Sequence, residues 1–229
     1  MTDGKPKKPR NKKPRDDADL QRAVIEAALP RLAADGFTEK TLNYAAASAD
    51  VDAGTLVRLF PRGTQDLVEA FSEWADKQMD AALRNAPLSE MKIRARIKAA
   101  VNARIAALRP HKEAARRAAA FLSLPQNAAL AASMLWRTAD RMWRAAGDTS
   151  TDFNFYTKRA ILMGVYSSTL LRWFTDESED EKDTSEFLDA RIENVMRFEK
   201  FKAEVNEQLS RLPSFSDLLS RFGGRRPSA

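Results

Sequence analysis

Residues Val51 to Gly63, VDAGTLVRLFPRG, decide how the chain folds. A short helix closes at Asp50 and Val51, and the carboxylate of Asp52 then stands ahead of Ala53, Gly54 and Thr55. An N-cap followed by small first-turn residues opens a second helix, which Pro61 and Gly63 close. This is a helix-turn-helix outline. In such a unit the second helix enters the major groove, so its outward positions need donors for phosphates and base edges. Here those positions carry Val57 and Leu59.

Charge points the same way. From Asp16 to Leu83 there are 13 Asp and Glu against 6 Lys and Arg, a net of 6 − 13 = −7. Neutralising phosphates supplies most non-specific affinity for DNA, so this head repels a duplex and no nucleic-acid partner is expected. The chain's formal +6 equals the sum of residues 1–15, where 7 Lys and Arg face 1 Asp. That basic, proline-bearing tail has the composition of a disordered segment, with weak attraction to anionic lipid or RNA as the alternative. It lacks the pattern of a secretory or organelle-targeting leader.

With 229 residues, 44% hydrophobic, only 8 Gly, and abundant Ala, Leu, Arg and Glu, the composition predicts an all-α protein. Cysteine is absent and His111 is the only histidine, so thiolate nucleophiles, multi-His metal sites and a spare-His triad are excluded. No cofactor, metal or catalytic role is expected. The most apolar window, Ala160 to Leu171, falls short of the roughly 20 residues of a membrane span. The expected location is cytoplasmic, peripheral on the inner face of the membrane.

Helical periodicity divides the chain. A first helix runs from Asp17 to Ala34, with Leu20, Val24, Ala27, Ala28 and Leu32 on one face, Pro30 inside and Gly36 ending it. Thr38 and Asp52 are predicted N-caps, and Thr64 is predicted to cap a fourth helix bearing Leu67, Val68, Phe71, Trp74 and Met79. Residues 16–84 thus form a small head. Residues 85–211 form a larger helical domain, with helices predicted over 89–108, 112–124, 127–146, 154–174 and 184–211. The final stretch, 212–229, places Phe215, Leu218, Leu219 and Phe222 on one face with Arg211, Arg221, Arg225 and Arg226 around it. Such a helix docks on a membrane, packs on a partner subunit or finishes its own domain, and its arginines suit an anionic headgroup layer.

The larger domain holds more apolar surface than single helix faces hide. Met134, Leu135, Met142, Trp143, Met163, Tyr166 and Leu170 are the candidates for lining a lipid site. The helix from Ala160 to Phe174 is apolar well around its circumference and is predicted to be buried on more than one side. Opposing helices offer Ala99, Ala100, Ala103, Ala106, Ala107, Ala118, Ala119 and Ala120. Small residues facing large ones give either a tight core, including a homodimer seam, or a cavity for an apolar ligand. Both readings stand at this level.

The segment GDTSTDFNFYTKR, residues 147–159, begins with turn and capping residues and turns abruptly aromatic. Phe153, Phe155 and Tyr156 cannot all face inward at helical spacing, so at least one belongs to a surface patch beside Lys158 and Arg159, the composition of a protein interface. The acidic run from Asp176 to Asp183 lacks the glycine turn and ligand spacing of a calcium loop and reads as a solvated loop.

On these residues the head resembles TetR-type regulators. Gly54, Thr55, Leu56 and Phe60 keep that pattern, while Val57 and Leu59 replace its phosphate-contacting Tyr and His, and Gly63 stands near its Lys. More specifically, LWRTADRMWRAAGDTSTDFNFYTKR at 135–159, with Leu124-Pro125-Gln126-Asn127 and Phe60-Pro61-Arg62-Gly63, resembles the ubiquinone-biosynthesis accessory (CoQ-nine) family from about Leu20 to Met196. The resemblance implies a TetR-like homodimer that no longer binds DNA. It also implies a non-catalytic protein that binds an isoprenoid quinone precursor or phospholipid and assists the demethoxyubiquinone hydroxylase. Asp148, Ser150, Thr151, Asp152, Asn154, Tyr156, Lys158 and Arg159 match the family's hydroxylase-facing patch, with Phe155 where the family often has Trp. A ligand-responsive TetR-type repressor is the alternative.

Overall fold

The structure, a computed structural model, describes residues 16–210, with side chains through Arg197. Nine α-helices lie in this range, with no strand among the described residues. Helix α1 (Asp17–Asp35) starts where Asp16 accepts a hydrogen bond from the Asp19 amide at 2.7 Å, and it stops at Gly36, whose φ of +68° few other residues adopt. Pro30 lies inside it. Thr38 caps α2 (Glu39–Ser48) and Asp52 caps α3 (Ala53–Leu59), as the sequence predicts. Helix α4 (Thr64–Arg84) differs. Its N-cap is Gly63 at φ +56°, and Thr64 is already helical. The capping carboxylate comes instead from α2, because Glu39 accepts from the Thr64 amide at 3.2 Å and from its hydroxyl at 3.4 Å.

Helix α4 carries an apolar stripe, Leu67, Val68, Phe71, Ala75, Met79 and Leu83, and all of it is buried. It packs on α1 at one side and on α5 (Ile93–Leu108) and α7 (Ala128–Ala145) at the other. The head therefore shares one core with the helices that follow. Two compact units part between Thr175 and Asp176, so residue 84 is not a division between units.

Helix α5 begins at Ile93, later than predicted, because a single 3₁₀ turn at Leu88–Glu90 precedes it. Helix α6 (Lys112–Leu122) ends before Leu124, which is extended (ψ 137°) ahead of Pro125. Helix α8 (Phe153–Phe174) is capped by Asp152. Its buried side chains, Leu162, Val165, Tyr166, Thr169 and Trp173, lie to one side, while Leu171 is 63% exposed. Within the single chain one face is fully covered and Leu171 is left exposed.

In the second unit, Asp176 is buried rather than a solvated loop residue. It accepts from the Ser178 amide at 2.9 Å and from the amide and hydroxyl of Thr184 in the first turn of α9 (Lys182–Ser210). Burial pushes its carboxyl up, but these hydrogen bonds outweigh burial and hold it well below the usual carboxylate range. The basic tail and the segment with Phe215, Leu218, Leu219 and Phe222 lie outside the described residues.

Gly63→Ala is expected to lower stability by about 1–2 kcal/mol. The added Cβ would overlap the Glu39 carboxylate in a left-handed backbone. Urea unfolding of the full chain checks it, and an unchanged midpoint would refute it.

Candidate functional site

Helices α4 to α8 line a partly open cavity of about 240 Å³. Its wall is apolar, built from Val68 and Phe71 on α4, Leu108 on α5, Ala115, Ala118, Ala119 and Leu122 on α6, Ala131, Met134 and Leu135 on α7, and Leu170 and Leu171 on α8. The alanines of α6 leave the room that the large side chains of α7 and α8 do not fill. Exposed Ser123 and Leu171 mark its rim.

Of the predicted lining residues, Met134, Leu135, Tyr166 and Leu170 are present. Met142, Trp143 and Met163 are absent and are corrected. Met142 is fully buried one turn beyond Thr138 on α7, and Met163 stands one turn before Tyr166 on α8. Trp143 belongs to the loop cluster, with its indole N–H donating to the Lys158 carbonyl at 3.0 Å.

A polar network ends the cavity between those positions. Arg104 Nε donates to Asp76 at 2.7 Å, Nη2 donates to the Ser72 hydroxyl at 2.8 Å, and Nη1 donates to the Tyr166 hydroxyl. The Thr138 hydroxyl donates to Asp76 at 3.0 Å. Arg104, Asp76, Thr138 and Tyr166 are all buried. Burial favours a neutral Arg104, yet Tyr166 and Asp76 outweigh it and keep the guanidinium charged, while burial pushes the Tyr166 phenol up and so keeps it protonated. Ser72, Arg104, Thr138 and Tyr166 line the cavity, and Asp76 stands behind them. The sequence reading missed this network. Its trace is a charged residue on each of two apolar stripes: Arg104 among Ile97, Val101 and Leu108, and Asp76 among Phe71, Ala75 and Met79.

The second feature is the α7–α8 corner. Trp136, Phe155 and Tyr156 cluster with ring centroids 5.2 to 6.1 Å apart. Phe153 and Tyr156 are 77% and 60% exposed, which matches the expected surface aromatics. The loop beneath is held by Asp148, which accepts from Lys158 at 2.8 Å, Ser150 at 2.6 Å and Arg159 at 3.1 Å. Burial pushes this carboxyl up, but the three donors outweigh it and hold it well below the usual range. Arg159 also reaches Asp140 at 2.7 Å and lies 3.4 Å from the Phe155 ring centroid. At 1% exposure it supports the patch from below and does not face a partner, which corrects its place among the contact residues. Thr151, Asp152 and Asn154 are exposed, Asp152 being the cap that accepts from the Asn154 amide at 3.0 Å.

In the head, Val57 is 68% exposed, but Leu59 is buried, so only the first of the two points outward. Arg58 pairs with Asp17, and Arg62 with Asp66 and Glu69. Glu39 occupies the N-terminus of α4, where a helix of opposite design would hold a phosphate.

This arrangement, an acidic four-helix head sharing a core with larger helices around a cavity, is an all-α, TetR-like fold. The solved structure of a TetR transcriptional regulator from Nitrosomonas europaea ATCC 19718 superposes with a TM-score of 0.59 over 76% of this chain and 95% of that one, at 20% identity. Residues 128–199 match the COQ9 family. Two relatives are the "Ubiquinone biosynthesis protein COQ9, mitochondrial" of Rattus norvegicus and of Homo sapiens. They are 32% and 31% identical over 184 residues, which is 77% of this chain and 59% and 58% of theirs. The chain is thus similar to the COQ9 family in sequence and to TetR regulators in fold. Its match spans about three-fifths of those relatives' length.

Asp148→Asn is expected to cost about 1–3 kcal/mol at neutral pH by weakening the bonds from Lys158 and Arg159. Because the folded carboxyl is depressed, its contribution is complete above the ordinary value of about 4 and fades as pH falls through the folded value. Unfolding midpoints of the two proteins should therefore converge below about pH 4; a gap independent of pH would contradict the assignment.

Proposed function

We propose that this protein is a non-catalytic accessory of ubiquinone biosynthesis that binds an isoprenoid quinone precursor and presents it to the demethoxyubiquinone hydroxylase. The observation that carries this reading is the apolar cavity with an exposed rim, of whose five helices α7 and α8 lie within the family match. The names of the relatives supply the pathway. The exposed aromatics Phe153 and Tyr156 supply a docking surface for the enzyme, since clustered aromatics beside charged residues suit protein interfaces. His111, the one histidine in the chain, stands edge-on to Trp74 and is not among the cavity residues, which supports leaving the chemistry to the partner.

The same reading includes a homodimer of TetR type and peripheral membrane contact through Phe215, Leu218, Leu219 and Phe222. No single helix among the described residues is long and apolar enough to cross a membrane. The relatives are mitochondrial by name, and the contact proposed here is with whichever membrane carries the hydroxylase. A repressor role is opposed by the head's net charge of −7 and by Glu39 at the α4 N-terminus.

Mass spectrometry of protein purified under native conditions should find a co-purifying isoprenoid lipid, and repeated lipid-free preparations that bind no quinone would overturn the cavity reading. Replacing Phe153 and Tyr156 together by alanine should weaken hydroxylase binding at least tenfold, with little change in melting temperature because both rings are exposed. Sub-micromolar binding to random duplex DNA at ordinary ionic strength would instead favour the repressor.

A further inference from the structure

The cavity has a buried polar end, where Arg104 and Tyr166 are 5% and 2% exposed, and an exposed rim at Leu171 and Ser123. The charge of Arg104 is matched by Asp76, which Thr138 also satisfies, so that end presents hydrogen-bonding groups without net charge. An anionic headgroup would have to be desolvated there with no unmatched cation to receive it, a large cost. A neutral oxygen acceptor has no such cost. The Tyr166 hydroxyl accepts from Arg104, and a phenol that accepts one hydrogen bond still has its own O–H to donate. No acceptor for that proton is found among the described residues.

We infer that Tyr166, held by Arg104, is the specificity-determining donor for a neutral lipid with a carbonyl, phenol or ether oxygen on its ring, bound ring-inward with its tail leaving past Leu171. This rests on the lipid-carrier reading above and adds the residue that meets the head and the orientation of the ring. Size agrees: an apolar cavity of about 150 Å³ accommodates benzene, and about 240 Å³ accommodates a substituted ring with the first carbons of a tail. A long chain must continue outside. The ring is therefore shielded while carried and exposed only on transfer.

The test uses the full chain and three probes: a short-chain ubiquinone analogue, a tail-matched isoprenoid hydrocarbon without a ring, and dioctanoyl phosphatidic acid. Binding is read by tryptophan fluorescence and calorimetry. Wild type should bind the quinone at least tenfold more tightly than either other probe, and Tyr166→Phe should weaken quinone binding about five- to tenfold, the loss of one hydrogen bond, without changing the hydrocarbon. Equal wild-type affinity for quinone and hydrocarbon, or tighter phosphatidic acid, overturns the inference while leaving a lipid cavity in place. Binding of none of the three overturns the carrier reading itself. The wild-type comparison tests the class of head even should Tyr166→Phe fail to fold, and a folded Tyr166→Phe that binds the quinone as wild type does overturns the role of Tyr166.

Discussion

The buried pair of Arg104 and Asp76 is the constraint around which the main unit is arranged. Asp76 comes from α4, Arg104 from α5, Thr138 from α7 and Tyr166 from α8, so one network fixes four helices against each other. Two charges removed from water are costly unless their remaining donors and acceptors are satisfied. Here no buried side-chain polar atom among the described residues is left without a partner. A slip of one turn along any of the four helices would separate these groups and leave a bare charge in an apolar interior, so the network specifies register more than it adds stability.

The network also sets where the cavity ends. Beyond it, Met142 and Leu162 complete a closed core; before it, the alanines of α6 leave space. Along α8 the aromatic corner and the rim stand apart. Tyr156 and Leu171 are separated by 15 residues, about 22 Å of helix. A partner about 30 Å across, the size of a small domain, spans that length. The exposed aromatics and the cavity rim thus lie toward the two ends of one helix, and the buried Arg159, bonded to Asp140 and Asp148, braces the aromatic end.

Much of this was legible in the chain itself. The Thr38 and Asp52 caps, the stop at Gly36 and the stripe of α4 follow from local chemistry, and the structure keeps them. The −7 charge of the head and a surface place for at least one of Phe153, Phe155 and Tyr156 were likewise readable. Thr64 misled because a good capping residue lay beside a better-placed carboxylate 25 residues earlier. Met142 misled because a flexible apolar side chain suits a closed core as well as a cavity wall, and Met163 stands half-buried outside the cavity lining.

By itself the sequence determined the helices, the acidic charge of the head, and an aromatic surface near residue 155, because capping, periodicity and net charge act over a few residues or by simple summation. Only the tertiary structure decided which apolar residues face a cavity and which fill a core. It alone brought Asp76, Arg104, Thr138 and Tyr166 together. Contacts across 28 to 62 positions depend on how helices cross, and no local pattern records that.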